Sequence, residues 1–226
     1  MKPTVQYSPL TRKLFDRYLN WSFKRSFDNV FCSGLSQLEG IQTPLLFVPN
    51  HVSWWDGFFL FEIQRRARPK ARLYTIALEK TCIENPILPK MGVLPLRPED
   101  PISFRSLLTF LQQIRTEQLP EELAVGFFPQ GRITPSFLPD LNFRRGIEKI
   151  ISVLSPVTLV PVGIHVEPMT GKKPTAILTV GTPKPCSSFG NAEAVQRSVQ
   201  EALATIHGNL KANGERLPPV YEGWYP

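Results

Sequence analysis

Leu45-Leu46-Phe47-Val48-Pro49-Asn50-His51-Val52-Ser53-Trp54-Trp55-Asp56 is the stretch on which the reading of this chain turns. Leu45–Val48 is a short unbroken apolar run, the pattern of a strand buried on both faces of a sheet. Pro49 and Asn50 end it in a turn, and a helix is expected from about Ser53 to Arg66. The alternation continues downstream. Arg72–Leu78, Val93–Leu96, Leu123–Phe128, Val157–Ile164 and Thr175–Val180 read as strands. Ile102–Thr116, Phe143–Val153 and Ala192–Leu210 read as helices, and Pro86–Lys90 as a loop or short helix. Strands alternating with helices predict an α/β fold, a mostly parallel mixed sheet with helices on both faces. In such sheets, sites gather where strands end and helices begin. His51 follows one strand end, and Pro129–Gly131 follows another.

Ahead of this unit, residues 11–31 read as an amphipathic helix. Leu14, Tyr18 and Trp21 recur at helical spacing, as do Phe23, Phe27, Val30 and Phe31, with Arg12, Lys13, Arg17, Lys24 and Arg25 between them. Basic residues interleaved with Trp and Phe suit an interfacial membrane helix. The same periodicity suits a helix laid on the core, and different faces can do both. The expected organisation is an N-terminal membrane-associating helix in residues 1–34, followed by one α/β domain in 35–226.

Composition narrows the partners. The chain has 226 residues and net charge +7. Residues 1–31 hold six Lys and Arg against two Asp and Glu, whereas residues 192–226 hold three against four. A basic surplus at the front fits an anionic membrane surface, nucleic acid or a phosphorylated ligand. No nucleic-acid-binding motif is present, so nucleic acid is not an expected partner. No run of about 18 apolar residues exists, so a spanning helix is not expected, and the N-terminus has no signal-peptide pattern. Cys32, Cys82 and Cys186 are odd in number and far apart, which favours a reducing compartment. His165 and His207 have no ligand spacing with His51, so no metal site is expected. No Gly-x-Ser-x-Gly elbow occurs, and Cys82 lacks neighbours that would activate a thiol.

His51 and Asp56 are the candidate catalytic pair, the alternative being that Asp56 only caps the helix and His51 is an ordinary loop residue. An imidazole held by a carboxylate is a general base at neutral pH. Five residues of continuous helix would put the two about 140° apart, so they meet only if His51 lies on the turn before the helix. Ser53-Trp54-Trp55-Asp56 also fits a capping box, in which Asp56 serves backbone N–H groups. The two roles are compatible. Phe128-Pro129-Gln130-Gly131-Arg132 forms a second constellation: Pro129 stops a strand, Gly131 permits a tight turn, and Arg132 offers a forked donor to phosphate or carboxylate. Met91-Gly92-Val93-Leu94-Pro95-Leu96-Arg97 is a turn, a strand and a terminal cation. Arg144-Arg145-Gly146 puts cations at a helix start, where an anionic partner would offset the dipole. Arg65–Arg72 holds five cations in eight residues and reads as a solvated face able to touch anionic headgroups.

Taken in order, these stretches resemble the glycerolipid acyltransferases, the family of bacterial 1-acylglycerol-3-phosphate acyltransferases. Asn50–Asp56 resembles its Asn-His-x-Ser-x-x-Asp block, Gly92–Arg97 its second block, Phe128–Gly131 its Phe-Pro-Glu-Gly-Thr-Arg-Ser block, and Val160-Pro161-Val162 its fourth. The resemblance spans about residues 40–165. It implies that residues 35–226 form an acyltransferase domain with His51 as base and Asp56 as its orienter. The acyl group would come from acyl-CoA or acyl carrier protein as co-substrate, with no further cofactor. Arg97, Gln130, Gly131 and Arg132 would line the acceptor site for a membrane lipid such as 1-acylglycerol-3-phosphate. The enzyme would sit at the cytoplasmic face of a membrane, peripheral or monotopic. Gln130 stands where Glu is usual, Arg132 where Thr is usual, Ile133 where Arg is usual, and Arg97 comes one residue early. These departures leave room for a non-phosphorylated hydroxylated lipid or glycolipid as acceptor. A membrane-surface binding protein without catalysis is the other alternative.

Overall fold

The computed structural model describes residues 9–138, 140–186 and 191–224, with side chains from residue 15 onward. Its helices are α1 (Pro9–Ser26), α2 (Asp56–Ala67), α3 (Glu79–Glu84), α4 (Pro101–Glu117), α5 (Gly146–Leu154) and α6 (Ala192–Asn213). Its strands are β1 (Asn29–Ser33), β2 (Leu45–Pro49), β3 (Arg72–Leu78), β4 (Val93–Leu96), β5 (Leu123–Gly126), β6 (Val157–Pro168), β7 (Pro174–Val180), β8 (Lys184–Cys186) and β9 (Glu222–Gly223). They form one mixed sheet in the order β4-β3-β5-β2-β6-β7-β1-β9, with β8 paired to β6. The block from β4 to β6 is parallel, and β7 runs antiparallel to β6.

β2 lies between β5 and β6, and all five of its residues are buried. Leu45 and Phe47 point to one face, where α1 and α2 pack; Leu46 and Val48 point to the other, beneath α4, α5 and α6. The unbroken apolar run is thus a consequence of helices on both sides.

The N-terminal helix differs from its sequence reading in one respect. It stops at Ser26, and residues 29–33 form β1. Val30 and Phe31 continue the helical spacing, but β1 pairs in parallel with β7 over five residues, and Asp28 accepts the Lys173 N–H at 2.9 Å. Tertiary pairing overrides the local period. α1 buries Phe15, Leu19 and Phe23, with Phe27 just beyond its end, in the same core as α2. Phe23 stacks on Phe59 with centroids 5.4 Å apart. Tyr18 and Trp21, on the other face, are exposed. Arg12, Lys13 and Leu14 fall outside the described side chains.

The cationic stretch 65–72 is not a plain solvated face. Arg65 and Arg66 pair with the fully buried Glu62 at 2.7 and 3.4 Å, and Arg68 donates to the carbonyls of Ile41 and Thr43. The Arg65 and Arg66 pairs are internal to α2, and the Arg68 bonds tie its end to the loop before β2.

Candidate active site

Three strand ends converge on one cleft. β2 terminates at Pro49, and Asn50 then takes the place of a further strand residue with its side chain. The buried Asn50 amide accepts the Ile164 N–H at 2.7 Å and donates to the Ile164 carbonyl at 2.8 Å. The ladder to β6 is thereby completed while the main chain turns away, and His51 leaves the sheet.

Residues 51–55 form the turn into α2. Asp56 is fully buried and reaches back over that turn. Its Oδ2 accepts the N–H groups of Val52 and Ser53 at 2.6 and 2.9 Å, and its Oδ1 accepts the Ser53 hydroxyl at 2.5 Å. The same Oδ2 lies 2.7 Å from His51 Nδ1. One carboxylate thus serves both the turn N–H groups and the His51 ring. With Nδ1–H donating to Asp56, Nε2 is the nitrogen left with a lone pair. His51 keeps partial exposure, with 22% of its side chain accessible, and its ring lies 4.4 Å from that of Phe128.

The loop after β5 clamps His51 from the opposite side. Gln130 Oε1 accepts the His51 N–H at 2.6 Å, and Gln130 Nε2 donates to Thr134 Oγ1 at 2.5 Å. The Thr134 N–H returns to the His51 carbonyl at 2.9 Å. Gln130 is buried and spends its amide on protein, not on the cleft. Gly131 has φ +68°, open to glycine at low cost, and a Cβ there would lie 3.4 Å from the Arg144 guanidinium. Arg132 and Arg144 both line the cleft and are exposed.

The cleft encloses about 630 Å³ and is lined by His51, Trp54, Gly131, Arg132 and Arg144 together with apolar residues of α1, α2, β3 and β4, among them Phe15, Phe58, Phe61, Ile76 and Val93, and by Met91 just before β4. A mostly apolar pocket with a few convergent polar groups is the usual form of a small-molecule site. The expected site residues divide accordingly. His51, Asp56, Gly131 and Arg132 come together. Gln130 stands behind His51. Arg97 follows β4 beside the lining residues Leu96 and Pro98, but its guanidinium pairs with Asp100 at 3.0 Å and Glu79 at 3.6 Å. Arg144 also lines the cleft; the unfavourable cations at the start of a helix were its signal in the sequence. Thr134 and the bidentate role of Asn50 left none, because both depend on pairing with residues about 80 or more positions away.

Cys82 is buried, and burial followed by the nearby Glu79 carboxylate pushes its thiol up to about 11. That is the opposite of an activated nucleophile. Among the described residues no group of three or more His, Cys, Asp or Glu is arranged to hold a metal ion.

The chain belongs to the acyltransferase family, whose profile matches residues 29–165. Its fold is similar to that in the crystal structure of the 1-acyl-sn-glycerophosphate (LPA) acyltransferase PlsC from Thermotoga maritima. The match has a TM-score of 0.54 and 18% identity, and covers 89% of this chain and 80% of that one.

Proposed function

We propose that the protein transfers a fatty acyl group from a thioester, acyl-CoA or acyl carrier protein, to the hydroxyl of a lysophospholipid such as 1-acylglycerol-3-phosphate. The single observation that carries this reading is His51 held at 2.7 Å by the buried Asp56 at the wall of a largely apolar cleft. Nε2 removes the acceptor proton as the hydroxyl oxygen attacks the thioester carbonyl. The tetrahedral intermediate collapses, the C–S bond breaks, and the imidazolium returns the proton to the departing thiolate. Asp56 fixes the ring and balances the imidazolium charge. No acyl-enzyme is required.

Arg132 and Arg144 supply two cations for an anionic headgroup. The engagement of Arg97 by Asp100 and Glu79 favours a second reading, in which the acceptor is a hydroxylated lipid without phosphate. Exposed Tyr18 and Trp21 on α1, with Arg25 stacked 5.6 Å over Trp21, form an interfacial face. In this reading α1 holds the enzyme on the cytoplasmic side of an anionic membrane. Among the described residues no helix is long and apolar enough to cross a membrane.

The test supplies the purified protein with acyl-CoA or acyl carrier protein thioesters and offers lysophosphatidic acid or a neutral hydroxylated lipid. A phosphatidic acid product supports the lysophospholipid assignment. Turnover of the neutral acceptor alone replaces it with the second reading. Arg132→Ala and Arg144→Ala are expected to raise KM for the phosphorylated acceptor about 10-fold or more, the worth of a charge-assisted hydrogen bond.

A further inference from the structure

Ile102, Leu119 and Val220 are exposed outside the cleft-lining segments, but a group of large apolar side chains lies within them. Trp54, Ile83, Ile87, Ile133, Phe137 and Leu138 are all exposed, Phe137 to 79% and Ile83 to 70%. They belong to three segments that frame one opening. The turn after β2 lines the cleft through His51 and Trp54, residues 78–88 through Leu78, Thr81 and Leu88, and the loop after β5 through Arg132 and Ile133. Ile83, Ile87 and Phe137 belong to the same segments and are exposed. Cations share the rim chiefly through the loop after β5 and the start of α5, where Arg132, Arg144 and Arg145 are exposed; in segment 78–88 Lys80 pairs with Glu84 at 3.7 Å.

Isolated surface hydrophobes need no explanation, but several gathered in the segments that line one cleft mark an interaction site. Apolar tips interspersed with Lys and Arg match the boundary between acidic headgroups and acyl chains. The cleft inside the rim is itself largely apolar. A chain-bearing lipid leaving a bilayer against this rim would enter the cleft without crossing water, which saves about 0.8 kcal/mol for each methylene kept dry. We propose that segment 78–88 and loop 131–138 form a second bilayer-docking surface, separate from α1, that seats the mouth of the cleft directly on an anionic leaflet. The proposal rests on the reading of the acceptor as a membrane lipid.

The experiment uses the full chain and sedimentation with vesicles of phosphatidylcholine alone or with one quarter phosphatidylglycerol. The variants are Ile83→Asp combined with Phe137→Asp, and Trp21→Glu on α1. Both rim positions are so exposed that the core is untouched. The rim variant is expected to bind the anionic vesicles about 100-fold more weakly, since each of its two lost apolar anchors is worth about a factor of ten. Its thermal midpoint and its turnover of a short-chain, monodisperse acceptor stay parental, and Trp21→Glu lowers binding separately. Parental vesicle binding by the rim variant overturns the proposal. So does intact vesicle binding with lost affinity for acyl carrier protein, which would make the rim a protein-docking surface. If the parent acylates no lysophospholipid but the vesicle result is as expected, the acceptor assignment fails and the docking surface stands.

Discussion

Gln130→Leu probes the clamp on His51. The substitution keeps roughly the volume of a side chain that is only 4% exposed and removes two hydrogen bonds, 2.6 Å from the His51 N–H and 2.5 Å to Thr134 Oγ1. Stranding the His51 N–H costs about 1–3 kcal/mol, and loss of the bond to Thr134 adds about 0.5–1.5 kcal/mol. With a urea slope of about 2 kcal/mol/M, the unfolding midpoint falls by about 1–2 M. The catalytic consequence follows from position, because a displacement of about 1 Å at a reacting group costs about 100-fold in rate. In the Leu variant kcat is therefore expected to drop far more than KM rises. Gln130→Glu is the rescue: its carboxylate still accepts the His51 N–H, and the Thr134 hydroxyl can rotate to donate. Urea unfolding and steady-state acyl transfer on all three proteins decide the matter. A Leu variant with the parental midpoint and the parental kcat refutes the reasoning.

Asp56→Asn keeps an oxygen for Val52, Ser53 and His51 but loses the charge that balances the imidazolium, so kcat is expected to fall by about 10²- to 10⁴-fold; circular dichroism should show an intact fold. Phe23→Ala removes a fully buried ring stacked on Phe59 and should cost about 3–5 kcal/mol in denaturant unfolding, whereas Trp21→Ala, on the exposed face, should change stability by less than about 0.5 kcal/mol. His165 titrates below the ordinary imidazole value, first because it is buried and then because His207 adjoins it, with Glu167 opposing. The unfolded chain therefore takes up that proton first, and stability is lost as pH falls from about 6.5 toward the lower folded value. His165→Gln should flatten the loss between pH 7.5 and 5.5, and an unchanged slope would contradict this.

Much of the fold was legible because the sequence pattern and the burial share one cause. Leu45–Val48, Arg72–Leu78 and Val93–Leu96 are strands in the sheet as expected; for Leu45–Val48 the cause is cover on both faces, which requires an apolar residue at every position. β1 was not, because its residues satisfy a helical spacing and only β7 makes them a strand. β8 and β9 are three and two residues long and owe their form to β6 and β1. At the site, His51 and Asp56 were legible because their pairing is local. Gln130 was expected to face the acceptor and instead holds His51, a role that depends on how close two strand ends come. Arg97 was read as a headgroup cation, but Glu79 and Asp100 reach it first. Whether an arginine faces a cleft or an acidic neighbour is a tertiary fact, and Arg144 gained its place from the turn at Gly131.

The most direct test of the account is acyl transfer by purified His51→Ala compared with the parent, on lysophosphatidic acid and an acyl thioester at saturating concentrations. Loss of the base is expected to lower kcat by at least about 10²- to 10⁴-fold, with the thermal midpoint and vesicle binding unchanged, because the His51 side chain is partly exposed and its backbone clamp survives. A folded His51→Ala protein that transfers acyl groups at the parental rate would contradict the central claim that His51, held by Asp56, is the base.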